Sequence, residues 1–305
     1  MPTTSRDALP AELADVYIVP QDALATVAPK LNRLESEFED RAIGDRSVQD
    51  RYRTEVCSLF GDGAQSILQH IDGRLRRAPH WALVRGLPSE SARTLLVGLT
   101  AALGTLCDAT PSEEALHEIR PATDIRTPST GVLNELLHTD SANWRNPNDL
   151  TCLFCVRPDQ FGGGATRILS IEKLFSALRR SDRGAEALSF LQNTKVTWQA
   201  GPGFEIETFE DFVFHDFKLR WLRLLIREAI GGHLEKTLRA ALDEVERAIE
   251  GGSKCEQFFM QSGDLLVLDN KRCLHARTST PFEEQSQRLV LRTKIRLHQT
   301  GWSGL

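Results

Sequence analysis

Three residues constrain this chain most. His138 and Asp140 sit together in a segment reading Leu137-His138-Thr139-Asp140-Ser141, and His275 lies far downstream behind an apolar run. Residues i and i+2 of a strand point to one face. A His-x-Asp pair at a strand end therefore presents an imidazole and a carboxylate side by side. If the fold returns His275 to that point, two nitrogens and one oxygen share one face. Such a set leaves metal positions open and suits non-haem Fe(II) that activates O2. His-x-Asp alone is common, so the weight rests on its surroundings.

The rest of the composition removes other classes. Hydrophobic residues make up 41% of 305, an ordinary share that permits a sizeable core. The net charge is −5, with both signs interspersed and no basic stripe, which argues against a nucleic-acid partner. No apolar run approaches the roughly 18 residues of a membrane span. The first residues lack the basic and apolar regions of a signal peptide. The expectation is a soluble cytoplasmic protein. The six cysteines are scattered, and Cys152 and Cys155 share an apolar strand on which i and i+3 face opposite ways. They read as buried thiols rather than a zinc site or disulfides.

Residues 1–75 carry apolar positions at helical spacing. A strand is expected near 80–88, then a helix over 89–106 capped by Ser89 or Ser91. From about 114 to 170 the pattern changes to short strands, including 150–158 and 165–170. Helices follow at 171–181 and 183–193, and strand-like pieces at 195–200 and 210–217. Residues 218–231 fit either strand or helix. An amphipathic helix over 234–252 stops at Gly251-Gly252, and the last strands lie within 256–269 and 287–298. With no linker or repeat, the chain reads as one domain, 1–305. It is mainly β with helices (α+β): a helical region 1–75, then a β core over 76–300 with a helical insert at about 171–250.

Four segments then line up. They are His138-Thr139-Asp140; the turn Gly162-Gly163-Gly164-Ala165-Thr166; Gly263-Asp264 with Asp269-Asn270 and His275-Ala276-Arg277; and Arg288-Leu289-Val290-Leu291-Arg292. The glycine turn is not followed by Gly-Lys-Ser/Thr, so it is not a phosphate loop. In this order the segments resemble the Fe(II)/2-oxoglutarate oxygenases of the taurine dioxygenase and clavaminate synthase type, from about residue 80 to 298. The resemblance implies a double-stranded β-helix, a cupin-like jelly roll. It implies Fe(II) on His138, Asp140 and His275, with 2-oxoglutarate and O2 as co-substrates. The far carboxylate of 2-oxoglutarate would meet Arg288 and the Thr166 hydroxyl, with Arg292 as a second candidate. An Arg fork matches a carboxylate. Lys294 and Arg296 continue the same rhythm, so not every cation on that face is a ligand contact. His298 is a competing third metal ligand; the other histidines read as structural.

The resemblance implies oxidative decarboxylation to succinate and CO2, coupled to hydroxylation of an unactivated C–H. Desaturation, ring closure and epoxidation use the same residues. Halogenating relatives replace the Asp with a small residue, and Asp140 is present. The expected substrate is a small polar metabolite, such as an amino acid or a specialised-metabolite intermediate. Glu135, Ser141, Asn143 and Trp144 beside the pair, Asp211, Asp216, Arg220 and Arg223 in the insert, and Arg277 are candidates to grip it. A carrier- or protein-bound substrate, and a sensor that binds 2-oxoglutarate without turnover, are the rivals. The oligomeric state is left open: residues 1–75 either cover the barrel or make a dimer contact.

Overall fold

A computed structural model describes residues 15–38, 43–107, 115–121, 136–199, 208–227, 233–252, 254–279 and 285–297. Glu135 and His298 lie outside these residues. The first part is helical, as the spacing predicts, apart from a two-residue strand β1 (Tyr17–Ile18): α1 (Gln21–Ser36), α2 (Arg46–Phe60) and α3 (Asp62–Leu75). Next come β2 (Trp81–Arg85), α4 (Ala92–Ala101), β3 (Gly104–Cys107), β4 (Leu116–Ile119), β5 (Leu150–Arg157) and β6 (Thr166–Ser170). The insert holds α5 (Ile171–Leu178), α6 (Asp182–Asn193), β7 (Lys195–Gln199), β8 (Thr208–Phe212), β9 (Phe214–His215), β10 (Lys218–Leu219), β11 (Ile226–Arg227) and α7 (His233–Arg247). The chain closes with β12 (Glu256–Phe258), β13 (Leu265–Asp269), β14 (Cys273–Arg277) and β15 (Leu289–Leu297).

The strands form a double-stranded β-helix. One sheet runs β1-β2-β13-β5-β15-β3, with β4 also on the free edge of β15. The facing sheet runs β12-β6-β14, and His138 forms a bridge to His275 on the edge of β14. Alternation along each strand decides what lies between them. Leu83, Leu266, Cys155 and Val290 of the larger sheet meet Ile168, Phe258 and Cys273 of the smaller one. The other face of the larger sheet, with Ala82, Val84, Phe154, Val267 and Leu291, packs under α1–α4. The outer face of the smaller sheet, Leu169, Leu274 and Ala276, packs under the insert helices. Cys152 and Cys155 accordingly fall in different cores, and all six cysteines are free thiols. Among the described residues, α1–α3 thus lie over the outer face of the larger sheet.

Three local expectations change. The helix expected over 89–106 is shorter: Ser89–Ser91 is a 3-10 turn and Gly104–Cys107 is an edge strand on β15. A Cβ at Gly104 would lie 2.3 Å from the Arg296 carbonyl, so this position needs glycine to pair closely. Neither Ser89 nor Ser91 caps α4. The Glu35 carboxylate of α1 accepts from the Thr94 and Arg93 amides instead, a long-range cap that local sequence cannot show. The undecided segment 218–231 gives β10, a 3-10 turn and β11, as far as it is described. No helix among the described residues is long and apolar enough to cross a membrane.

Candidate metal centre

The two histidines are brought together by backbone pairing. His138 and His275 donate to each other's carbonyls at 3.1 and 2.9 Å. This is the close hydrogen-bonded pair of an antiparallel ladder, which sends both side chains to one face. Their ring centroids are 4.7 Å apart. Asp140 is not on a continued strand, as the i, i+2 argument assumed. It begins a turn, and Ser141 follows with φ 55°. The turn still carries the carboxylate back to the pair: Asp140 Oδ1 is 3.9 Å from His138 Nε2, and Oδ2 is 3.8 Å from His275 Nε2. Ligand atoms of all three lie within 4.8 Å of one another.

Supporting residues fix this geometry. The Thr151 hydroxyl donates to Asp140 Oδ2 at 2.8 Å. Asn270 accepts from the Asp140 amide and donates to its carbonyl, at 2.8 and 3.0 Å. His138 Nδ1 faces the Leu136 carbonyl at 2.7 Å, so it carries the proton and Nε2 is left as the donor pair. His275 Nδ1 is buried with no hydrogen-bond partner among the described residues.

The charge states suit a cation. Burial pushes the His275 imidazole down to about 3, and burial also lowers His138, so both are neutral near pH 7. Burial opposes ionisation of Asp140, but Arg292, Lys294 and the two imidazoles hold its carboxyl well below the usual range. Neutral imidazoles and an ionised carboxylate are the forms that bind metal. The donor set, two nitrogens and one oxygen on one face, fits non-haem Fe(II).

Beyond the triad, the two sheets supply cations from opposite sides. On the smaller sheet, Arg277 lies two residues from His275 on the same face, and Thr166 is its register partner. On the larger sheet, Arg292 and Lys294 lie on the inner face of β15, and Arg288 stands immediately before that strand. Arg288 is buried, and burial together with neighbouring Arg277 pushes its guanidinium down to about 10. A cavity of about 340 Å³ opens beside it, lined by Cys155, Asp159, the Gly162–Gly164 turn and Met260. Arg292 stands elsewhere, 3.5 Å from Asp140 Oδ1. Lys294 is buried and donates to the Ser141 hydroxyl at 3.2 Å. The segment from Arg288 through β15 thus carries one cation away from the triad, beside Arg277, one at the triad and one at Ser141.

The other candidates separate. Ser141, Asn143 and Trp144 form the turn that follows Asp140. Asp216 is exposed at the tip of the β9–β10 hairpin, paired with His215. Arg223 faces Asp243 and Glu246 of α7. Arg220 and Asp211 pair with each other. Thr151 was not singled out by sequence, Asn270 was only part of a motif, and Lys294 was discounted. For Thr151 and Lys294 the signal is register, since the two lie directly opposite each other.

Comparison with solved structures agrees on the fold. The chain resembles asparagine oxygenase in complex with Fe(II), 2S,3S-3-hydroxyasparagine and succinate. The TM-score is 0.70 at 16% identity, over 92% of this chain and 93% of that one. It also resembles the non-heme iron oxygenase OrfP in complex with Fe and alpha-ketoglutaric acid, with a TM-score of 0.69 at 16% identity over 92% and 94%. Among curated protein sequences, none is similar enough to count as a match. The family model described as taurine catabolism dioxygenase TauD, TfdA family matches residues 73–208 and 214–294, more than two thirds of the chain and all three triad residues. The chain belongs to the TauD/TfdA dioxygenase family.

Proposed function

We propose that this protein is an Fe(II)- and 2-oxoglutarate-dependent oxygenase that hydroxylates an unactivated C–H bond of a small, amino-acid-like substrate. The observation that carries this reading is the convergence of His138, Asp140 and His275 with a second, cationic end at Thr166, Arg277 and Arg288. One residue pair along β14 spans about 6.6 Å, which suits a short dicarboxylate lying between the two ends. In this reading His138, Asp140 and His275 hold Fe(II). When bound, the iron with 2-oxoglutarate and O2 supplies the oxidising power, and the co-substrate leaves as succinate and CO2.

The protein's own residues do the rest. Arg288 and Thr166 take the far carboxylate of 2-oxoglutarate, and Arg277 adds a second charge there. The two buried guanidiniums disfavour each other until an anion lies between them, which favours the loaded state. Thr151 and Asn270 keep Asp140 aimed at the triad. Arg292 and Lys294 give the rim side a positive lining that suits the carboxylate of an amino acid. Asparagine oxygenase and OrfP, whose complexes hold 3-hydroxyasparagine and (3S)-hydroxy-L-Arg, support this substrate class. The protein works as one unit over 1–305, because the site draws on both sheets and on the turn between them.

The test is anaerobic visible absorption with Fe(II), before and after 2-oxoglutarate, followed by an amino-acid screen for succinate release. A charge-transfer band present in the wild type and absent in His275→Ala is the expected result. Bound iron without such a band would remove the co-substrate from this reading.

A further inference from the structure

Arg220 is 7% exposed, and its contacts join the insert to the turn beside the triad. Its Nη atoms donate to the carbonyls of Ala142, Trp144 and Arg145 at 2.5–3.1 Å. These carbonyls belong to the turn that leaves the triad at Asp140. The same guanidinium pairs with Asp211 Oδ2 at 2.7 Å. It also lies over the rings of Phe209 and Trp198, at 4.9 and 5.5 Å. Asp211 is itself fixed: Oδ1 accepts from the Phe212 amide, and its carbonyl accepts from Trp198 Nε1. Next in sequence, Trp221 makes three hydrogen bonds with Thr139, which stands between His138 and Asp140.

We propose that Arg220 is a positioning residue: it is a clamp by which the insert (β7, β8 and the segment after β10) sets the shape of the rim at residues 141–145. The proposal rests on the oxygenase reading only for what the rim does, which is to border the substrate beside Lys294. The chemistry favours arginine specifically. Three carbonyl oxygens converge on one point, and bringing them together without a cation is unfavourable. A planar fork with five N–H groups satisfies three carbonyls and a carboxylate at once, whereas a lysine ammonium is a point charge with three donors. Asp140 has its own supports in Thr151 and Asn270. Loss of the clamp therefore releases the rim and leaves the metal ligands in place.

The experiment is hydrogen exchange by mass spectrometry on the full chain, wild type against Arg220→Gln, Arg220→Lys and Asp211→Asn. Anaerobic titration with Fe(II) and then 2-oxoglutarate accompanies it. The expected result is exchange of amides in 141–146 faster by about tenfold in Arg220→Gln, from the lost charged hydrogen bonds. The expected rise is smaller in Asp211→Asn, and Arg220→Lys does not restore protection. Protection of α1–α4 and half-saturation by 2-oxoglutarate stay within about twofold of wild type. Unchanged exchange at 141–146, or full rescue by lysine, overturns the clamp. So does exchange that rises equally across the barrel with loss of metal binding, since that marks a general packing residue. If Arg220→Gln does not fold, Asp211→Asn decides alone, because Asp211 is 40% exposed in its side chain. Absence of a charge-transfer band in the wild type counts against the oxygenase reading, while the exchange data still judge the clamp.

Discussion

At the scale of single residues, the segment from Arg288 through β15 separates two tasks that sequence alone merges. Arg288, Arg292 and Lys294 share one i+2 rhythm, and that spacing cannot say which meets which ligand. The register and the turn at Asp140 do: Arg292 reaches the triad carboxylate and Lys294 reaches Ser141, while Arg288 sits with Arg277. Arg288→Ala should therefore raise the 2-oxoglutarate requirement by about 2–5 kcal/mol, or roughly 30- to 5,000-fold. Lys294→Met should leave that requirement within about threefold and raise the KM of the accepted amino acid by about tenfold or more. Titrating succinate formation against each compound in both variants separates the two, and a shared effect on 2-oxoglutarate would undo the division. The triad itself was legible because His138, Asp140 and His275 stand in long matching segments. Thr151 was not, because a threonine in an apolar strand carries no mark until Asp140 is folded over it.

At the scale of elements, alternation made the core strands readable. Leu265–Leu268 is apolar on both faces because both are covered, by helices outside and by the smaller sheet inside, whereas Leu289–Leu297 is apolar outside but carries Arg292 and Lys294 beside Val290 inside. The ends of elements were less readable, because distant residues set them. Glu35 starts α4 from another helix, and β3 exists because β15 offers an edge. The turn into β13 is a further case. Gly263 has φ 82° and a Cβ there would lie 2.0 Å from the Leu87 carbonyl, while Asp264 is fully buried and bidentate to Arg85 at 2.8 and 2.9 Å. Burial raises the Asp264 carboxyl above its ordinary value even though Arg85 opposes this. Arg85→Ala strands that charge and should cost about 3–5 kcal/mol in urea unfolding at pH 7. The folded carboxyl then holds its proton more tightly than the unfolded one, so ionisation works against the fold as pH rises. The deficit should accordingly narrow as pH falls toward the ordinary carboxylate range. A deficit that stays constant with pH would mean the stranded charge is not its cause.

At the scale of the whole molecule, four layers sit in order: the N-terminal helices, the larger sheet, the smaller sheet and the insert. The triad lies on the edge of the smaller sheet, with His275 on β14 and His138 and Asp140 on the returning turn. The insert holds that turn through Thr139, Ala142, Trp144 and Arg145. A metal there adds bonds between parts that the His138–His275 bridge and the Asn270 contacts to Asp140 already bring together. The unfolded chain scatters these ligands across more than 130 positions and has no matching site. Binding to the native state alone then stabilises it by about 2.7 kcal/mol when free metal is 100-fold above its dissociation constant. For a chain of this size that corresponds to a rise in Tm of about 5 °C. Anaerobic thermal unfolding with Fe(II), repeated with excess chelator, should show this difference in the wild type and lose it in His138→Ala. The variant's own Tm under chelator should stay near the wild type's, because an imidazole at a strand edge contributes little to any of the three cores. Equal Tm values for the wild type with and without chelator, at saturating iron, would mean the triad does not bind metal in the folded chain.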